Sequence, residues 1–260
     1  MRKIIRKLIK MTLIGAVLGV FVAVGILLSA SAYKTTQIVL ALRASRVHEP
    51  TPRKHGYPLH LEAIERTRES VVLISNEQFG STTRGTGVLV DPFHVLTCAH
   101  MVGGEDDLWI FPYPAKDVHK ATPVAVDGKH DLAVLELDRP VERGAYAVFA
   151  DSASLGEPIT VIGNMLGSMR WFVTYGTISG FFEGFYLSDA LIHGGNSGGP
   201  WIDEDGRIVA LSDWSLESMS GGDLGVRGGV PAPTISRFLD QWRKELIKRA
   251  IKNMEKEGNA

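Results

Sequence analysis

Between Val71 and Val230 the chain is cut into about twelve short apolar or alternating runs, each closed by glycine, proline or aspartate, and this punctuation constrains the fold more than any other feature. The first group is Val71 to Ser75, Thr86 to Val90, His94 to Cys98, Leu108 to Phe111, Thr122 to Val126 and Leu132 to Leu137. The second is Ile159 to Ile162, Arg170 to Ile178, Gly184 to Leu187, Pro200 to Ile202, Ile208 to Leu211 and Gly225 to Val230. Such runs are too short for helices. Two groups of short strands predict a mainly β domain of paired antiparallel barrels or sandwiches. With Cys98 the one cysteine of the chain, no intrachain disulfide is possible and packing must hold this domain together.

Helical patterns flank the strands. Leu59 to Glu69 carries Leu59, Leu61 and Ile64 at roughly helical spacing and predicts a short helix leading into the domain. After Pro231 and Pro233, Thr234 to Lys256 carries Ile235, Phe238, Leu239, Trp242, Leu246 and Ile247, an apolar stripe able to dock on the second strand group. Its other face holds Arg243, Lys244, Lys248, Arg249 and Lys252, which read as a solvated face, with anionic lipid headgroups as the alternative contact.

At the other end, Arg2, Lys3, Arg6, Lys7 and Lys10 precede an uncharged apolar stretch from Met11 to Ala32. As a helix it would rise roughly 33 Å, enough for a hydrocarbon core of about 30 Å. The cationic flank should stay cytoplasmic, placing everything after Tyr33 outside. A cleavable signal peptide is the alternative, because Ala30-Ser31-Ala32 fits a cleavage site. Either reading exports the domain. The expected organisation is a basic segment and transmembrane anchor at 1–34, a Pro-containing linker at 35–58, the β domain at 59–242 and a basic helical tail at 243–260. A net charge of -1 gives no electrostatic reason to expect a nucleic-acid partner.

The loop Gly194-Gly195-Asn196-Ser197-Gly198-Gly199-Pro200 carries the chemistry. A serine hydroxyl needs a neighbouring base and a preformed site for the oxyanion created by its attack. Glycines without Cβ atoms let a scissile peptide lie close and let backbone N–H groups, here those of Gly195 and Ser197, turn inward. Among eight histidines, His100 follows the apolar strand Leu96-Thr97-Cys98-Ala99, where a strand end can hold an imidazole rigidly. His48, His55 and His60 fall in or beside the linker. Asp131 opens the strongly apolar run Leu132 to Leu137 and can fix the imidazole tautomer. His130 would point to the opposite side as a surface residue.

Leu-Thr-Cys-Ala-His, Asp-Leu-Ala-Val-Leu-Glu-Leu and Gly-Asn-Ser-Gly-Gly-Pro, in that order, resemble the three signatures of the trypsin-like serine proteases. Gly85-Thr86-Gly87-Val88, and Gly-Asn-Ser rather than Gly-Asp-Ser, are most similar to the bacterial HtrA/Deg type. The resemblance covers about Val71 to Leu239. It implies two six-stranded antiparallel barrels, Ser197 as nucleophile, His100 as general base and then acid, and Asp131 as orienter. Gly195 and Ser197, with Asn196, would supply the oxyanion amides. Polypeptides would be the substrates, cleaved through an acyl-enzyme without metal or cofactor, and a homo-oligomer such as a trimer is implied.

The same resemblance places Leu191 and Ile192 on one wall of the primary pocket and Asp213-Trp214-Ser215 on the facing strand. Apolar walls favour an aliphatic side chain. Asp213 could instead select lysine or arginine, but the cost of burying an unpaired charge favours a hydrogen-bonded role beside the triad. Cys98 reads as a small core residue, with a redox-sensitive thiol as the alternative. The chain departs from the family in two ways: no Ile-Val-Gly-Gly-like start precedes the first strand, and about 20 residues after the last strand leave no room for a PDZ domain. An extracytoplasmic serine endopeptidase is the function expected, periplasmic or extracellular. A catalytically silent binding or chaperone module at the membrane is the alternative, disfavoured because all three triad positions are present. An acyl hydrolase of another fold is disfavoured by the order His, Asp, Ser, because in α/β-hydrolases histidine comes last.

Overall fold

A computed structural model describes residues 61–78, 83–103, 108–114, 117–142, 144–166, 169–217 and 223–258. The predicted anchor at 1–34 and linker at 35–58 lie outside them. Among the described residues no helix is long and apolar enough to cross a membrane. Ala44–Glu245 form one compact unit, which holds both strand groups, and the end of the C-terminal helix from Leu246 falls in a second.

Helix α1 (Leu61–Arg68) leads into strands β1 (Val71–Ser75), β2 (Thr83–Asp91), β3 (His94–Thr97), β4 (Leu108–Pro112), β5 (His119–Asp127) and β6 (Leu132–Leu137). These close into a barrel in the order β1-β2-β3-β6-β5-β4. Strands β7 (Pro158–Met165), β8 (Met169–Phe182), β9 (Phe185–Ser188), β10 (Pro200–Ile202), β11 (Ile208–Glu217) and β12 (Asp223–Pro231) close a second, ordered β10-β11-β12-β9-β8-β7. Every ladder is antiparallel. Of the two predicted architectures, barrels form rather than sandwiches. Closure removes the exposed sheet edges that a sandwich would leave.

Each barrel fills its interior with inward-facing apolar side chains. Val72, Ile74, Leu89, Val95, Leu108, Ile110, Leu135 and Leu137 form the first core, and Ile159, Val161, Ile178, Trp201, Val209 and Ala210 the second. Trp201 is fully buried, and its indole N–H donates to Ser212 Oγ at 2.8 Å, which removes the cost of burying that donor. Strand β1 is buried at every position because its outer side packs against β7 and β8 of the second barrel. Hydrogen bonds cross there: Asn164 Nδ2 donates to the Val72 carbonyl at 3.1 Å and Trp171 Nε1 to the Val71 carbonyl at 3.0 Å.

Several strands outrun their predicted limits. β8 continues to Phe182 and β11 to Glu217, each through a register shift, between Ile178 and Gly180 and between Ser212 and Trp214. A bulge interrupts the two-residue period without ending the ladder. The last helix, α2 (Ala232–Gly258), begins directly after β12 and buries Ile235, Phe238, Leu239 and Trp242. Its Trp242 meets the first barrel, edge-on to the His94 ring with centroids 4.7 Å apart. His94 is itself held by Asp91, at 2.8 Å from Nδ1. Of the predicted basic face, Lys244, Lys248, Arg249 and Lys252 are exposed and Arg243 is half-buried.

Candidate active site

The site is built where the two barrels meet. The 3-10 turn Ala99–Met101 follows β3, and Asp131 occupies the turn before β6, with a left-handed φ of 52°. Because β3 and β6 are paired through Thr97 and Ala133, the two turns emerge side by side. The Ala99 N–H donates to the Asp131 carbonyl at 3.0 Å and the His100 N–H to Asp131 Oδ1 at 2.9 Å. The His100 ring bonds Asp131 Oδ2 through Nδ1. This fixes the ring and leaves Nε2 for other work. His130 turns to Asp127, 2.6 Å from its Nδ1.

The serine loop hangs between the barrels. Thr86 of β2 donates its N–H to the Ser197 carbonyl at 2.9 Å and its hydroxyl to the Gly195 carbonyl at 2.7 Å. Gly198 N–H donates to the Ser212 carbonyl of β11 at 2.8 Å. The loop's conformation demands glycine at two points. Gly195 has φ 94°, where a Cβ would stand 2.2 Å from the Asn164 carbonyl oxygen, and Gly198 has φ 79°, where a Cβ would stand 2.2 Å from that of Thr86. Among the described residues, the amides of Gly195 and Ser197 have no acceptor, whereas Asn196 donates its own to the His193 carbonyl at 3.1 Å. Both free amides belong to half-exposed residues. A pair of unsatisfied, accessible N–H groups is an anion site in waiting.

Asp213 joins the two halves. The Ser197 hydroxyl donates to the Asp213 carbonyl at 3.4 Å, while a carboxylate oxygen of Asp213 lies within 4.8 Å of one of Asp131. Among the described residues no hydrogen bond links Ser197 to His100. One ligating atom from each of Cys98, His100, Asp131 and Asp213 lies within 4.8 Å of the others. Burial, with help from the Asp213 and Asp131 charges, pushes the Cys98 thiol well above its ordinary pKa. Cys98 is fully buried and donates to the Ser212 carbonyl at 3.2 Å.

The protonation of the cluster follows from the contacts. Burial raises Asp131, but hydrogen bonds from the His100 ring, the Asp213 carboxyl and the His100 N–H outweigh it and hold this carboxylate below its ordinary pKa. His100 is raised, chiefly by its hydrogen bond to Asp131 and against the effect of burial. Asp213 is pushed up to about 7 by burial and by the adjoining Asp131 carboxyl.

The predicted pocket residues fall on two segments. Leu191 is exposed, and its carbonyl accepts the Thr174 hydroxyl at 2.9 Å. Ile192 is buried, with its carbonyl accepting Arg227 Nε at 2.7 Å. Trp214 stands edge-on to Phe185, centroids 5.7 Å apart, and Ser215 pairs with Arg227 across the β11–β12 ladder. Arg227 was not singled out by the sequence. It is 2 % exposed, an uncommon setting for a cation, and a charged residue inside the strand Gly225 to Val230 was the available signal.

Residues 85–211 match the model of the trypsin-like peptidase domain. Several relatives bear the name "Probable periplasmic serine endoprotease DegP-like". That of Chlamydia pneumoniae is 32 % identical over 176 residues, 63 % of this chain and 35 % of that protein. That of Rickettsia conorii is 27 % identical, over 74 % of this chain and 38 % of its own length, and that of Brucella suis 29 %, over 64 % and 33 %. The chain thus spans about a third of the length of these relatives. Two closed antiparallel barrels, the family model and these relatives agree: the chain carries a trypsin-like serine peptidase domain of the HtrA type, related to the DegP-like endoproteases.

Proposed function

We propose that this protein is an extracytoplasmic serine endopeptidase, tethered to a membrane through residues 11–32, that cleaves polypeptides with Ser197, His100 and Asp131. The observation that carries the reading is the meeting at Asp213, whose carbonyl receives the Ser197 hydroxyl and whose carboxyl lies within 4.8 Å of the Asp131 carboxylate holding His100. Attack requires the Ser197 hydroxyl to turn from that carbonyl to His100 Nε2. The ring takes the hydroxyl proton as Oγ bonds to the substrate carbonyl carbon, and the free amides of Gly195 and Ser197 receive the developing oxyanion. The imidazolium, stabilised by Asp131, then protonates the leaving amine, and water repeats the sequence on the acyl-enzyme. Leu191, Ile192, Trp214 and Ser215 flank the scissile residue's side chain.

Export is supported by the cationic and apolar pattern of residues 2–32 and by the periplasmic names of the relatives. The domain limits proposed are 1–34 for the anchor, 35–58 for the linker, 59–242 for the peptidase and 243–260 for the tail. Casein cleavage by the full chain tests the chemistry: Ser197→Ala should lower kcat by about a millionfold. Retention of the wild-type rate would refute it.

A further inference from the structure

Helix α2 carries two apolar stripes, of which the first is buried and the second largely is not. Ile235, Phe238, Leu239 and Trp242 are buried, and the same spacing carried onward reaches Leu246 and then Arg249 and Asn253, where the stripe ends in polar residues. A second stripe begins beyond Trp242. Ile247, Ile251 and Met254 recur at i, i+4 and i+7, roughly 140° around the helix axis from the first. Ile247 is half-buried, but Ile251 is 51 % exposed and Met254 61 %. Large apolar side chains left in water along one face mark an interaction surface. The charges beside them say what the partner is. Lys244, Lys248 and Lys252, all exposed, stand at i, i+4 and i+8 and form the row next to Ile247 and Ile251. From Arg243 to Lys256 six basic residues stand against two acidic ones, Glu245 and Glu255, in a chain whose net charge is -1.

We propose that the last turns of α2 form a membrane-surface helix, which lays Ile247, Ile251 and Met254 on the acyl boundary of an anionic phospholipid bilayer while Lys244, Lys248 and Lys252 pair with its phosphates. A bilayer supplies both things this pattern needs, fixed negative charge and an apolar phase beside it. Lysine suits that boundary, because its methylene stem lies along apolar surface while its charge stays among the headgroups. A second copy of the helix would bring two lysine rows together and repel. A soluble polyanion offers nothing apolar to Ile251 and Met254. Among the described residues no helix is long and apolar enough to cross a membrane, so this one lies along the surface. The inference goes beyond the cleavage reading and does not depend on Ser197. The tether proposed at 11–32 would keep the helix within reach of the lipid.

The test reconstitutes the full chain with vesicles of phosphatidylcholine alone and of phosphatidylcholine with phosphatidylglycerol, carrying a nitroxide on Ile251→Cys or, on the opposite face, on Arg249→Cys. Cys98 is buried, and wild type taken through the same labelling corrects for any signal from it. The Ile251→Cys label should lose accessibility to an aqueous nickel complex and gain it to oxygen in the phosphatidylglycerol vesicles only, while the Arg249→Cys label stays in water. Replacing Lys244, Lys248 and Lys252 by glutamine, singly and together, should lower the ratio of lipid-laid to free helix about fivefold per lysine. An Ile251→Cys label equally open to water in both vesicles overturns the proposal. So does shielding that is the same in both vesicles or survives the triple substitution, because a protein partner and not charged lipid would then cover the stripe. Sedimentation separates this from the tether: a chain that sediments with phosphatidylglycerol vesicles and not with phosphatidylcholine supports the surface helix and refutes the tether alone. Sedimentation with neither overturns both.

Discussion

Asp131 holds His100 at two points, its Oδ1 accepting the main-chain N–H at 2.9 Å and its Oδ2 the ring. The carboxylate thereby sets both the place of the residue and the tautomer of its imidazole. Asp131→Asn keeps the shape of the turn but presents a donor to one of these contacts, which favours the wrong tautomer. A fall in kcat of about 10⁴ is expected. Because Asp131 raises His100 above the ordinary 6.5, the acid limb of the wild-type kcat/KM profile should lie above that value and move down in the variant. A variant as active as the wild type would remove Asp131 from the mechanism.

Stability should carry the mark of Asp213. A carboxyl held at about 7 in the fold against 3.8 unfolded binds its proton more tightly when folded, so its contribution is full below 3.8 and is lost as pH rises to about 7. Asparagine has no such dependence. The melting temperature of Asp213→Asn should therefore gain on the wild type across this window, and parallel curves would contradict the raised pKa of Asp213.

Thr86 braces the serine loop from the other barrel. Its hydroxyl donates to the Gly195 carbonyl at 2.7 Å and accepts the Asn164 N–H at 2.9 Å, in a fully buried position. Thr86→Val preserves shape and leaves both backbone groups unpaired, at a cost of about 1–3 kcal/mol. Chemical denaturation should register that loss, with kcat reduced about tenfold because the Gly195 amide loses its support. An unchanged midpoint would show that the bond contributes nothing.

Cys98 should be chemically silent in the folded protein. Zero exposure and a raised thiol pKa both oppose thiolate chemistry. An aromatic disulfide reagent should react with it only at the rate of unfolding. Fast labelling of the native chain would restore the redox reading.

The barrels were legible because most strands are short, strongly apolar and bounded by turn residues, as in Leu132 to Leu137. His100 and Asp131 were legible for the same reason: each stands at the end of such a run. Asp213 was harder, since its direction depends on a register shift between Ser212 and Trp214 that is set by pairing with β12 rather than by local pattern. The reach of β8 to Phe182 was hidden by glycines that read as breaks but sit within the ladder. Trp242 lies on the predicted apolar stripe, yet its contact with His94 across to the first barrel is tertiary information that helical periodicity does not contain.

The central claim is that Ser197 is the nucleophile. A fluorophosphonate reacts with a serine only when a base and an oxyanion site activate it. Treating the full chain with such a probe and mapping the adduct by peptide mass spectrometry should place one phosphonyl group on Ser197, with none on Ser197→Ala and little on His100→Ala. Equal labelling of wild type and Ser197→Ala, or an adduct on another residue, would contradict the account.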